Sequence, residues 1–236
     1  MKLPHLLIFL IFTNTLSAFS TTNVQYLYGN FNGNSVFDTL GRGKHTITVE
    51  NFSTYAYGDF FGFVDFALTD GKFKYDDKSS DIYFELSPRI SLSKVSGSNM
   101  SFLFVKDVFM AAQYNRQLHK FKDYYATLYG VGSDLEIKGF DVFGLNFYKK
   151  NQNFGKHTSQ LSANYISRNI FDTNFTLDGF TDWTKEDFLS QNKLLYKLGY
   201  LPLSGKLYIG TEWHYYRVKN TDTKSNVLQA MFMLVW

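Results

Sequence analysis

The chain has 236 residues, a formal net charge of +3, 25 Phe, 17 Tyr, only 3 Pro and no Cys. That length holds one large β domain, and the aromatic enrichment favours pleated, half-buried surfaces. The missing cysteines exclude a disulfide scaffold and a thiolate metal site; the scattered charges offer no basic run to track a phosphate backbone, so no nucleic-acid partner is expected.

Taken in chain order, the N-terminus comes first. Met1-Lys2 precede a short apolar core, Leu6 to Phe12, and Ser17-Ala18-Phe19-Ser20 supplies the small residues that a signal peptidase accepts. Residues 1–20 are therefore expected to be a signal peptide, with cleavage after Ser20, or after Ala18 as the alternative. The apolar core is too short to span a bilayer comfortably as a helix, and no later segment reaches 18 continuous apolar residues.

From residue 21 to 236 a period of two dominates. Turn signals divide this stretch into twelve expected strands: 24–32, 44–56, 58–67, 81–94, 102–114, 122–132, 138–149, 158–168, 170–181, 191–201, 205–218 and 225–236. The clearest alternation runs from Ile82 to Leu92, with Ile82, Phe84, Leu86, Pro88, Ile90 and Leu92 on one face and Tyr83, Glu85, Ser87, Arg89 and Ser91 on the other. From Phe171 on, Phe171, Phe175 and Leu177 oppose Asp172, Asn174, Thr176 and Asp178 in the same way. Between Lys206 and Tyr216, Leu207, Ile209, Thr211, Trp213 and Tyr215 oppose Lys206, Tyr208, Glu212, His214 and Tyr216. Long strands that are apolar on one side and polar on the other suit hydrocarbon outside and water inside. The expected fold class is an all-β, 12-stranded antiparallel transmembrane β-barrel in the outer membrane, contacting its lipids.

The connections carry a parity. Those after odd strands read as long and polar (Asn32 to Gly43, Leu68 to Ser80, Asp182 to Ser190, Lys219 to Lys224); several after even strands read as tight, at Tyr57, Asn169 and Pro202-Leu203-Ser204, while the one around Ser96 to Asn99 is longer. Long loops on one side and short turns on the other fit a barrel with both termini in the periplasm. In the last strand Leu228, Ala230, Phe232, Leu234 and the terminal Trp236 share a face. That ending resembles the signal by which outer-membrane proteins engage the barrel-assembly machinery.

Two stretches carry a family resemblance. The first is Thr48-Val49-Glu50-Asn51-Phe52, then Tyr57-Gly58-Asp59-Phe60-Phe61-Gly62-Phe63-Val64-Asp65. The second runs from Glu85-Leu86-Ser87-Pro88-Arg89-Ile90-Ser91 through Met100-Ser101-Phe102 to Lys106-Asp107. Both resemble the Tsx-like family of nucleoside-specific channel-forming outer-membrane proteins, with Leu103-Phe104 standing where the family usually has Gly-Pro. The resemblance implies a 12-stranded barrel with a narrow lumen that passes nucleosides and deoxynucleosides.

For such a channel the chemistry is recognition without reaction. Aromatic faces stack on a base, and carboxylates, amides or Arg hydrogen-bond a ribose. Alternation turns Glu50, Phe61, Phe63, Asp65, Tyr83, Glu85, Arg89, Asp107, Glu212, His214 and Tyr216 toward the lumen. Glu50, Glu85 and Arg89 also fit a purely structural carboxylate–Arg network, and Phe61 and Phe63 also fit rings that plug the lumen. Trp213, Tyr215, Trp236 and Tyr200 are expected in the aromatic girdles at the lipid interface. His45, His119 and His157 are scattered, and no His/Asp/Glu set has metal-ligand spacing, so neither metal nor cofactor is expected. His214 faces the lumen rather than a lipid-side Ser, which speaks against an outer-membrane lipase or acyltransferase and for a non-enzyme. The expected function is passive, substrate-preferring diffusion of nucleosides or similar small polar solutes. The alternative is a closed structural or surface-binding barrel, with bacteriophage adsorption as a by-product; a soluble periplasmic β protein is the third reading.

Overall fold

A computed structural model of the chain describes residues 19–40, 43–74, 78–118, 123–201 and 205–236. Residues 1–18 of the expected signal peptide, His119, and the expected turn at Pro202-Leu203-Ser204 lie outside the described residues. The described strands are β1 (Phe19–Asn30), β2 (Gly43–Tyr55), β3 (Gly58–Thr69), β4 (Ser80–Ser91), β5 (Val105–Gln117) and β6 (Tyr124–Leu135), followed by β7 (Phe140–Gln152), β8 (Thr158–Ser167), β9 (Phe175–Thr184), β10 (Asp187–Tyr200), β11 (Lys206–Val218) and β12 (Lys224–Val235). Each pairs antiparallel with its sequence neighbours, and β1 pairs with β12, so the sheet closes into a barrel with no free edge. Backbone groups in hydrocarbon have no water to bond, and closure is what satisfies the outermost strands. The seam runs to the last residue: Thr22 and Trp236 exchange both backbone hydrogen bonds at 2.9 Å.

The two-residue period sorts the side chains as expected. On β3 and β4 the registers Asp65↔Tyr83, Phe63↔Glu85, Phe61↔Ser87 and Asp59↔Arg89 place one set on the lumen wall. Phe60, Val64 and Phe84 pack with one another on the opposite face. The interior is polar, with Gln25, Asn115, Gln160, Lys193, Glu212 and Gln229 all buried. An apolar stretch of the inner wall, Leu27, Leu195, Met231 and Met233, lies where β10, β12 and β1 approach. Outward-facing Tyr28, Trp183 and Trp213 are exposed toward one end, and Trp236 toward the end with the termini. That is the distribution of two aromatic girdles. Tyr200, expected in the girdle, is instead turned by the bulge at Lys197/Gly199 to the inner side, where it pairs with Lys206 and its hydroxyl accepts from Lys197 at 3.4 Å.

The rims shape the cylinder. Three register shifts, at Val105/Asp107, Phe140/Val142 and Lys197/Gly199, all sit at the end that carries the termini, where bulges commonly close a barrel. Between β6 and β7 the walls approach closely: a Cβ added at Gly130 would lie 1.9 Å from the Phe147 carbonyl oxygen, so only glycine fits.

The connections correct the expected parity at several points. The expected long loop Asp182 to Ser190 is strand on both sides of a two-residue turn at Lys185-Glu186, because Asp182 and Leu189 are paired wall residues of β9 and β10. Polar side chains that face water inside a barrel look like loop in a sequence. Conversely, the expected tight turn at Asn169 is a seven-residue connection, 168–174, with a 3-10 turn at Ile170–Asp172 and positive φ at Phe171 and Asp172. The longer connection after β4 contains a short helix, α1 (Leu92–Ser96), capped by the Ser91 hydroxyl and ended by left-handed Gly97. Leu103, in place of the family's glycine, adopts φ 51 there.

A chain lacking Trp236 loses both backbone bonds to Thr22 and leaves the first strand's lower edge unpaired. Its yield of heat-modifiable, membrane-inserted barrel is expected to fall several-fold against the full chain. Equal yields would show that the seam does not need this residue.

Candidate functional site

The lumen wall at β2 to β4 gathers six of the expected site residues. The Phe61 and Phe63 rings lie 6.1 Å apart and the Phe63 and Tyr83 rings 5.9 Å apart, forming a ladder of aromatic faces down the wall. Strand pairing places Glu50 opposite Phe63 on β2 and Glu85 opposite it on β4, so carboxylates flank the ladder on both sides. Glu85 accepts from the Tyr83 hydroxyl and from the Gln113 amide at 2.8 Å. Asp65 accepts from the Thr48 hydroxyl at 2.5 Å. Glu50 accepts from Asn23 at 2.8 Å and from Gln25 at 3.3 Å. Stacking surface and exchangeable hydrogen-bonding groups thus stand side by side.

Glu50 also meets a residue that sequence alone did not single out. Lys193, on β10, lies 3.6 Å from Glu50 and 3.5 Å from Asp178 on β9. The strands β11, β12 and β1 separate β10 from β2 in the barrel, so this ammonium reaches across the lumen. Glu212 neighbours Lys193 on β11 and accepts from Gln229 at 2.8 Å. Alternation through β10 puts Lys193 on the inner face, but its partners come from strands remote in sequence.

The other expected site residues separate into the two ends. His214 and Tyr216 belong to the end opposite the termini, where the connection 31–40 folds inward. Phe37 packs edge-on against His214 at 4.8 Å and against Tyr216 at 5.0 Å, and Phe31 lies 5.3 Å from His214. The Asp38 carboxylate holds this connection by accepting from the Gly33 and Ser35 backbone, the Ser35 hydroxyl and the Ser225 hydroxyl. Lys44 ties it down by donating to the Phe37 carbonyl at 3.2 Å, with its ammonium 3.4 Å from the centre of the Phe31 ring.

Arg89 and Asp107 sit toward the end with the termini. Arg89 donates through two nitrogens to Asp59, at 2.8 and 2.7 Å, and to Asp134 at 2.8 Å, while its guanidinium lies 4.1 Å from the centre of the Phe109 ring. Asp107 accepts from the Ser91 and Ser93 hydroxyls at 2.6 Å and so locks α1 onto β5. Both are bound into the wall, apart from the aromatic ladder. Of the histidines, His45 packs tilted against Tyr28, ring centres 4.8 Å apart, on the outer face. Among the described residues no group of His, Asp or Glu could hold a metal ion.

Removing the Arg89 charge leaves two carboxylates facing each other with no cation between them. Arg89→Met is expected to destabilise the folded barrel by about 3 kcal/mol, as for a buried pair that loses one partner. The checking measurement is the denaturant midpoint in detergent micelles, with Arg89→Lys retaining part of the loss. An unchanged midpoint in Arg89→Met would deny the network its structural role.

The family described as nucleoside-specific channel-forming protein, Tsx, matches residues 22–221. Outer membrane protein OmpK of Vibrio parahaemolyticus serotype O3:K6 (strain RIMD 2210633) is 26% identical over 207 residues, covering 80% of this chain and 73% of that protein. Among solved structures, the KdgM porin is 10% identical with a TM-score of 0.49, covering 91% of this chain and 98% of the porin. Omp33 of Acinetobacter baumannii is 13% identical with a TM-score of 0.35, covering 92% and 98%. The family match spans most of the described barrel, from Thr22 in β1 to the connection before β12. The chain belongs to the Tsx family of channel-forming proteins of the outer membrane.

Proposed function

We propose that this outer-membrane channel passes nucleosides, or similar small polar solutes with a flat ring and hydroxyls, by passive diffusion down their gradient. The observation that carries the reading is the Phe61–Phe63–Tyr83 ladder with Glu50 and Glu85 on either side of it. A nucleobase laid on those rings gains stacking energy of about 1–3 kcal/mol per base. Its ribose hydroxyls then face carboxylates and amides that already exchange bonds with neutral neighbours such as Thr48, Gln113 and Gln25. Each such contact is modest, and a conducting site must release what it binds.

The family name, which describes nucleoside-specific channels, supports the same substrate class. In an outer membrane the end with both termini faces the periplasm, and the inward-folded connection 31–40 marks the outer mouth. Trp236, outward-facing on the final strand, is the end offered to the barrel-assembly machinery. The six connections at the outer mouth are the surface open to bacteriophage.

Reconstituted in a planar bilayer, the full-length barrel is expected to give a small conductance that adenosine or thymidine reduces and a sugar of similar size does not. Phe61→Ala or Phe63→Ala is expected to weaken that block about tenfold, in keeping with the loss of one stacking partner, and to raise conductance. Heat-modifiable gel migration should stay unchanged in both variants. Equal block in both variants and the parent chain would remove the ladder from the solute path; a folded barrel without conductance would favour a closed, surface-binding barrel.

A further inference from the structure

We propose that the lumen conducts cations in preference to anions. The basis is how its charges are paired. Arg89 is shared by Asp59 and Asp134, and Lys193 by Glu50 and Asp178, so each base is met by two carboxylates. Four further wall carboxylates bond neutral donors. Asp65 accepts from the Thr48 hydroxyl at 2.5 Å, Glu85 from the Gln113 amide at 2.8 Å, Asp182 from the Ser162 hydroxyl at 2.6 Å and Glu212 from the Gln229 amide at 2.8 Å. A hydroxyl or amide satisfies the geometry of a carboxylate but does not cancel its charge. Asp81, bonded by the Gln117 amide, and Asp107, bonded by the Ser91 and Ser93 hydroxyls, add two more inner-face carboxylates. Against these six stand Lys44, which is engaged by the Phe37 carbonyl and the Phe31 ring, Lys150, and, toward the end with the termini, Lys197 and Lys206. The wall is left with a surplus of negative charge spread over β3, β4, β5, β9 and β11.

The chain as a whole is positive, at +3. Among the described residues, other bases lie on the outer face or at the rims, as Lys149 and Arg217 do by register. Charge of one sign along a narrow passage with low-dielectric walls focuses the field and enriches ions of the other sign. Carboxylate-lined passages select cations on this principle. The surplus is distributed and forms no metal-binding group among the described residues, so it attracts mobile ions without trapping one.

This inference rests on the reading of the barrel as an open conduit, and one recording separates the two. The full-length protein is placed in a planar bilayer of uncharged phosphatidylcholine under a KCl gradient, with the dilute side near 0.1 M, where the screening length is about 10 Å. The reversal potential is expected to favour K+ over Cl− by a permeability ratio on the order of tenfold. The ratio should shrink as both sides approach about 1 M, where screening falls to about 3 Å. In the double variant Asp182→Asn, Glu212→Gln, which retains acceptors for Ser162 and Gln229, the ratio should move toward unity.

A clear conductance that reverses at zero potential, or on the anion side, overturns the proposal and leaves the conduit reading intact. An unchanged ratio in the folded double variant overturns the assignment of selectivity to the wall. Should that variant not fold, the sign and salt dependence of the parent chain still decide the matter. A folded barrel with no conductance refutes the conduit itself, and this inference with it.

Discussion

A strand that crosses hydrocarbon must find a partner for every backbone amide and carbonyl, and the last strand can find one only by returning to the first. The β1–β12 seam meets this demand residue by residue from Tyr28↔Ala230 down to Asn23↔Val235, and Thr22 and Trp236 extend it to the chain's end. Once the sheet is closed, every side chain has one of two addresses. The same alternation that leaves Leu228 and Phe232 exposed outside sends Gln229 and Met231 into the interior. Nothing about the lumen can be arranged until that partition exists.

The partition makes the inside of the barrel its polar core, with consequences for energy as well as passage. A charge confined in a narrow lumen is costly unless hydrogen-bonded or paired. The wall meets this requirement in two ways. Near the end with the termini, Arg89 is clamped by Asp59 and Asp134 and ties β3, β4 and β6 together. Around the aromatic ladder Asp65 and Glu85 are held by hydroxyls and amides, which keep a carboxylate in place and still yield to a passing hydroxyl, while Glu50 adds Lys193 to its amide partners. For Asp65 and Glu85 the difference from the Arg89 clamp lies in the charge of the partner, not in the carboxylate.

Much of the barrel was legible in the sequence wherever both faces of a strand spoke clearly. The run from Ile82 to Ser91 alternates without a break, and β4 has the facing expected of it. The failures share a physical origin. Asp182, Asp187 and Ser190 read as loop because turn prediction scores polarity, yet Asp182 is a wall residue whose solvent happens to be inside the protein. Phe171 was read as the start of a strand for the opposite reason: it is apolar, but it sits with positive φ in a solvent-exposed turn. Of the site, the β2–β4 cluster could be read because its members share neighbouring strands and a short stretch of sequence. Lys193 could be placed on an inner face but not against Glu50, since that contact depends on the barrel's cross-section. The inward fold of Phe31 and Phe37 onto His214 and Tyr216 left no periodic trace at all.

Charge illustrates how far closure reorganises what composition reports. Summed along the chain, lysine and arginine outnumber aspartate and glutamate, 24 to 21. Sorted by the wall, acids concentrate inside and many bases lie outside or on the rims, where they meet water and lipid headgroups. A solute in transit therefore meets a field opposite in sign to the protein's net charge. Stacking on Phe61, Phe63 and Tyr83 is indifferent to that field when the solute is neutral, so base recognition and ion preference can coexist in one passage: the rings act on shape, and the carboxylates act on charge and on hydroxyls.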